Sequence, residues 1–184
     1  VWKAGLIAVP TMPLLRAKEL SVIINKAQIS AALCSAALHE EMTLAQEMSP
    51  VLAQVKFFNV DLNSAVDAEA SIDALMQTKS TEYQAIDTDA EDVCLISFTS
   101  GTTGMPKGTM HFHRDVLAIC DCFPRSTLQS QESDVFIGTP PLAFTFGLGG
   151  LLLFPLRVGA TAVLLEKLTP ETLLKAIDEF QATT

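Results

Sequence analysis

The run Phe98-Thr99-Ser100-Gly101-Thr102-Thr103-Gly104-Met105-Pro106-Lys107-Gly108 gathers four side-chain hydroxyls, three glycines and one lysine into eleven residues. Such a loop is suited to an anion. Glycines let backbone N–H groups approach phosphate oxygens, hydroxyls add donors, and a lysine supplies charge where triphosphate charge accumulates. No Asp or Glu lies between Cys94 and Arg114, although the chain carries a net charge of −9, so the local field tolerates a polyphosphate. Thr99, Ser100, Gly101, Thr102, Thr103, Gly104 and Lys107 are therefore the candidate phosphate-binding residues, and Lys107 is the candidate catalytic cation. The loop is not a Walker A motif. Pro106 precedes Lys107 where that motif has glycine, and Gly108 follows where it has the metal-binding Ser or Thr. On composition alone the alternative is a surface hairpin with a solvated Lys107.

The elements around this loop read as α/β. Leu6–Val9 is a short apolar run, and Pro13 suits the first turn of a helix whose face is Leu20, Ile23, Ile24 and Ala27. Strands are expected at 31–34 and 55–60, separated by a helix over 38–48 that stops at Ser49 and Pro50. This βαβαβ rhythm predicts a parallel sheet. Between 61 and 92 lie nine acids and one base, Lys79, which marks an acidic connection with one helix near 72–76. Beyond it come a strand at 93–98, the loop, a return strand at 109–113, and a helix carrying Val116, Ile119, Cys120 and Phe123 up to Pro124. Strands at 135–137 and 162–165 flank an apolar segment, 147–158, that reads as a central helix closed by Gly159. Thr169 and Pro170 then open a helix whose face is Leu173, Ala176, Ile177 and Phe180.

Composition narrows the classes further. Of 184 residues, 49% are apolar and 18% charged, enough to bury a core and too apolar for a disordered chain. Twenty-one acids against twelve bases argue against nucleic acid and anionic membrane surfaces. The charge-free stretch 135–156 has membrane-like hydropathy, but Pro140, Pro141, Pro155 and its glycines favour a broken, buried segment. Cys34, Cys94, Cys120 and Cys122 lack paired spacing and read as reduced core thiols. With no signal peptide at the start, they suggest the cytoplasm. His111 and His113 alternate on the expected strand and are assigned no chemistry. Three histidines and scattered acids form no metal-ligand spacing. Arg16 and Arg157 read as helix-surface caps or snorkelling side chains.

The loop resembles, at every defined position, the TSG(S/T)TGxPKG signature of AMP-forming acyl-CoA synthetases and related adenylate-forming enzymes. The stretches Trp2–Gly5, Pro10–Pro13 and Gly108–Arg114 resemble the sequences that flank it in that family. The resemblance implies a layered α/β/α segment of the large N-terminal domain: a βαβαβ part over 1–60, the acidic connection over 61–92, and a phosphate-loop and acid-pocket part over 93–184, with the C-terminal domain absent. It also implies two-step chemistry on a carboxylic acid with ATP, Mg²⁺ carried by the nucleotide, and CoA as cosubstrate. Because the later nucleotide contacts and the C-terminal catalytic lysine of the family are missing, the segment alone is expected to be inactive and to self-associate through exposed edges.

A narrower resemblance rests on Pro140-Pro141-Leu142-Ala143-Phe144-Thr145-Phe146-Gly147-Leu148-Gly149-Gly150, which is similar to the aromatic motif of benzoate and 2-aminobenzoate CoA ligases. It implies that Phe144, Thr145, Phe146 and Gly147 line a pocket for a small aromatic carboxylic acid, with Thr145 placed to bond an ortho amine. The alternative is that the two phenylalanines belong to the core. A fatty acyl-CoA synthetase, an amino-acid adenylation domain and a non-catalytic nucleotide-binding domain are the rival readings. The adenylation domain would need an acid near 144–146, where none occurs.

Overall fold

Strand pairing and apolar burial sort the chain into two units, each assembled from separated stretches: 11–85 with 98–108, and 1–10 with 86–97 and 109–184. The computed structural model describes residues 1–59, 71–99, 104–166 and 168–184. Its strands form three two-stranded sheets.

In the first of these units, α1 (Ala17–Ala27) starts later than Pro13 predicts, because its entry is fixed by acids. Glu19 Oε2 accepts the Arg16 N–H at 3.0 Å, and Glu41 Oε2, 24 residues away, accepts the Ala17 N–H at 2.7 Å. These carboxylates also sit at the positive end of the helix dipole. α1 buries Leu20, Ile23 and Ile24 as their spacing predicts. β1 (Ala31–Ser35) and β2 (Gln54–Phe58) pair in parallel, from Ala31 opposite Gln54 to Ser35 opposite Phe58. α2 (His39–Glu47) connects them, preceded by one 3₁₀ turn. Leu20, Ile24, Cys34, Met42, Ala45 and Leu52 form one core beneath this sheet. At the end of α2, the fully buried Ser49 takes a 3.1 Å bond from the Asn25 amide, which also donates to Ser21 O at 2.8 Å. α3 (Ile72–Gln77) matches its expected helix. Val60 and the 61–70 part of the acidic connection lie outside the described residues.

In the second unit, the expected strand at Leu6–Val9 makes one parallel bridge only, Ala8 with Leu95. Ala8 N–H donates to Cys94 O and Ala8 O accepts from Ile96 N–H, each at 2.9 Å. β3 (Val93–Thr99) pairs with β4 (Lys107–Phe112). β4 thus starts two residues before its expected position, and His113 opens α4 (His113–Phe123) instead of ending the strand. Asp115 decides this boundary by accepting the Phe112 N–H at 3.0 Å. Pro124 does not end the helix as expected: a π turn over Pro124–Leu128 continues it, closed by Gln129 at φ 54°.

β5 (Val135–Ile137) and β6 (Thr161–Val163) pair in parallel, β6 starting one residue before and ending two residues before its expected bounds. Thr183 N–H bonds Val135 O and Ile137 N–H bonds Thr184 O, each at 3.0 Å, so the 183–184 stretch lies along β5. The expected central helix is three pieces: α5 (Thr145–Leu148), a π turn over Gly149–Leu153, and α6 (Phe154–Val158). Pro155 explains the break. Its ring would collide with the Leu151 carbonyl in an α-helix and it has no N–H to give. The wider turn, closed by Phe154 N–H to Gly149 O, makes room. The helix is also not buried all round: Leu148, Leu151 and Leu153 are buried and Leu156 is exposed. None of the described helices is long and apolar enough to cross a membrane.

α7 (Pro170–Phe180) is capped by Thr169, whose hydroxyl accepts the Thr172 N–H at 3.1 Å. Of its predicted apolar face, Ala176 is buried while Ile177 and Phe180 are exposed; β5 and β6, three residues each, are too short to cover three helical turns. Of the four cysteines, Cys34, Cys94 and Cys120 are buried and reduced, but Cys122 is exposed and is not a core thiol. Two residues on from Cys120, it points to the other side of α4.

Candidate functional site

The 98–108 loop joins β3 to β4, so strand pairing holds its two arms. Thr99 is the last residue of β3 and Lys107 the first of β4, and both are exposed. Gly104 stands at φ 81°, a left-handed conformation that glycine reaches without strain, and a methyl group there would touch nothing within 4 Å. Met105 beside it is exposed. The structure therefore leaves Thr99, Gly104 and Lys107 open to solvent. Ser100, Gly101, Thr102 and Thr103 lie outside the described residues. The distal arm is tied down at one point, where Lys26 Nζ donates to Pro106 O at 2.7 Å.

Below the loop, β3 and β4 carry polar groups that sequence reasoning left unassigned. Ser97 is buried, and among the described residues neither its hydroxyl nor His111 Nε2 has a hydrogen-bond partner. His111 O accepts the Cys94 thiol at 3.5 Å, while His113, now on α4, meets Trp2 edge-on at 6.5 Å. Burial pushes the Cys94 thiol pKa up, and Asp115 adds to the rise, so this group stays protonated and is no nucleophile.

The aromatic run is built on a tight turn. Pro141 O accepts the Phe144 N–H at 3.1 Å, folding 139–144 against the first turn of α5. Phe144 is 44% exposed and Phe146 77%, so neither is a core residue. Thr145 is exposed between them and Gly147 is buried. A methyl group on Gly147 would lie 2.1 Å from Pro141 O and 2.6 Å from Pro140 O. Glycine is required here by close approach of backbone, not by φ.

Beside α4, Arg157 does more than snorkel. It forks onto Asp121, Nε to Oδ1 at 2.8 Å and Nη2 to Oδ2 at 3.1 Å, and this bond holds the Asp121 carboxyl below the usual carboxylate range. Arg16 lies 3.6 Å from Glu41 at the start of α1, and Arg114 pairs with Glu91.

One concavity was not foreseen. A pocket of about 210 Å³ opens at the carboxyl ends of β1 and β2, lined by Met12, Pro13, Leu33, Leu38, Met42 and Phe58 among others. Carboxyl strand ends are where parallel sheets leave crevices, a signal available only once the β1–β2 pairing is known.

The sequence profile of the family described as "AMP-binding enzyme" matches residues 1–184, the full length given. The chain belongs to that family. A benzoate–CoA ligase of Thauera aromatica is 37% identical over 134 residues, which cover 72% of this chain and 25% of the relative. A medium-chain fatty-acid–CoA ligase of Escherichia coli K12 is 28% identical over 191 residues, covering 98% of this chain and 32% of the relative. Among solved structures, an anthranilate CoA ligase, AuaEII, in complex with anthranoyl-AMP superposes with a TM-score of 0.89 at 28% identity, over 97% of this chain and 34% of that one. This AMP-binding chain therefore spans a quarter to a third of the relatives it matches, and its fold is that of the N-terminal domain of the adenylate-forming enzymes.

Proposed function

We propose that the protein carrying this chain is an ATP-dependent, AMP-forming aryl-acid CoA ligase acting on a small aromatic carboxylate such as benzoate or 2-aminobenzoate. The observation that carries the reading is the 98–108 loop, whose Thr99, Gly104 and Lys107 stand open to solvent in a chain of the AMP-binding family. In the first step a carboxylate oxygen of the acid attacks the α-phosphorus of ATP, and the bond to pyrophosphate breaks. In the second the CoA sulfur attacks the acyl carbon, the bond to AMP breaks, and the thiol proton is lost. No covalent bond to the protein is needed. Lys107 and the loop hydroxyls and N–H groups neutralise the phosphate charge that moves to pyrophosphate.

No group of three His, Cys, Asp or Glu that could hold a metal ion occurs among the described residues. In this reading Mg²⁺ arrives on the phosphates of ATP. Phe144, Thr145, Phe146 and Gly147 form the edge that receives the acid ring, the exposure of Phe144, Thr145 and Phe146 favouring ligand contact over core packing. In this reading the whole enzyme works in the cytoplasm. A second reading, a medium-chain fatty acid as substrate, is favoured by the E. coli relative that matches over 98% of the chain.

The test is acid-dependent ATP–pyrophosphate exchange by the whole enzyme, offering benzoate, 2-aminobenzoate, a coumarate, a medium-chain fatty acid and amino acids. Exchange confined to the small aromatic acids supports the aryl reading, and exchange with the fatty acid alone supports the second. A folded, ATP-binding protein that exchanges with none of them is a non-catalytic nucleotide-binding domain.

A further inference from the structure

We infer that Lys26 is a positioning residue for the phosphate loop, fixing the peptide plane from which Lys107 leaves the turn. This rests on the reading that the loop holds the phosphates of ATP. Lys26 stands in the last turn of α1, on a rigid base: Ile23 and Ile24 are buried beside it, and Asn25 is tied to Ser21 and Ser49. From there its ammonium donates to Pro106 O at 2.7 Å. Among the described residues this is the one side-chain hydrogen bond that reaches Gly104–Gly108, and no carboxylate pairs with Lys26.

The choice of Pro106 as the acceptor matters. Its ring already locks φ, so holding its carbonyl oxygen fixes the one remaining soft torsion, ψ. That oxygen and the Lys107 N–H belong to the same planar peptide, so fixing one sets the direction of the other and the angle at which β4 begins. Gly104, at φ 81°, adds no side-chain restraint to this arm, and even a methyl group there would meet nothing within 4 Å. Lys26 also leaves two N–H donors and an unneutralised charge at the loop's edge, in a stretch without acids.

The experiment compares Lys26→Met and Lys26→Arg with wild type in the whole enzyme. Positioning predicts that Lys26→Met lowers the maximal rate of ATP–pyrophosphate exchange about tenfold, as for loss of a charge-assisted hydrogen bond. The ATP and acid KM values and the melting temperature should stay unchanged, and Lys26→Arg should restore the rate. Amide hydrogen exchange over 104–108 should be faster in Lys26→Met and restored in Lys26→Arg, whatever the substrate turns out to be. A wild-type rate in Lys26→Met overturns the proposal, and so does a raised ATP KM at constant maximal rate, which marks direct attraction for phosphate. If wild type itself exchanges with no acid, the functional reading fails, and the amide data alone decide: unchanged protection at 104–108 then removes Lys26 from the loop.

Discussion

Replacing Gly147 by alanine tests the turn that presents the aromatic run. The new methyl would lie 2.1 Å from Pro141 O, 2.6 Å from Pro141 C and 2.6 Å from Pro140 O. All three are backbone atoms, so no rotamer change relieves the overlap. Either α5 or the two-proline turn must move. Overpacking of this kind costs about 1–3 kcal/mol, of which the lower unfolded-state entropy of alanine returns about 0.4–1 kcal/mol. A net loss of about 1–2 kcal/mol lowers the melting temperature by roughly 2–8 °C for a domain of this size. Gly150, three residues on in the same helical run, is the control, because a methyl there meets nothing within 4 Å. Gly150→Ala should gain up to about 1 kcal/mol from helix propensity. Thermal unfolding followed by circular dichroism, with urea midpoints alongside, reads both variants. Opposite signs are expected. Gly147→Ala at or above wild-type stability would refute the argument.

The other predictions concern charge and thiol chemistry. Lys107→Ala should lower ATP–pyrophosphate exchange a hundredfold or more, as for loss of a preorganised charge contact worth about 3 kcal/mol, and unchanged exchange would remove Lys107 from the chemistry. The Asp121–Arg157 bond contributes stability above the ordinary carboxyl value of 3.8 and loses it as pH falls through the lower folded value. The melting-temperature gap between wild type and Asp121→Asn should therefore be constant at pH well above the ordinary carboxyl value and shrink below about 3.8; a gap that grows on acidification would contradict the assignment. Cys122 should react with a soluble thiol reagent while buried Cys34, Cys94 and Cys120, whose thiols burial pushes up, stay protected. Peptide mapping that finds Cys94 labelled as fast as Cys122 would be incompatible with the packing.

What the sequence revealed follows the range of the forces involved. Leu20, Ile23 and Ile24 announce their buried face because helical period is local, and Val93–Phe98 and Val135–Ile137 announce strands in the same way. The start of α1 was not readable, because Glu41, which accepts the Ala17 N–H, is 24 residues away. His113 was misplaced because Asp115 competes for the Phe112 N–H, a side-chain bond that pattern alone does not weigh against strand propensity. Pro155 was visible, but its remedy, a π turn one residue wider than the α-helical ladder and closed by Phe154 N–H to Gly149 O, was not. At the site, hydroxyls, glycines and lysine single out the 98–108 loop by type and spacing. Lys26, whose bond to Pro106 spans 80 residues, carried no local signal.

The interleaving of the two units has a consequence for how this chain is made. During synthesis, residues 1–10 emerge first, yet Ala8 cannot form its bridge until Leu95 and Ile96 have left the ribosome. The unit over 11–85 closes in the meantime, apart from its last strip, 98–108, which arrives after 86–97 has gone to the other unit. The Ala8–Leu95 bridge must therefore wait through the folding of the 11–85 stretch between its partners, and a long-range pairing of this kind is slow to nucleate. A gene cut at any single point leaves the unit of 1–10, 86–97 and 109–184 short of a piece, whereas every piece of the other lies within the one stretch 11–108.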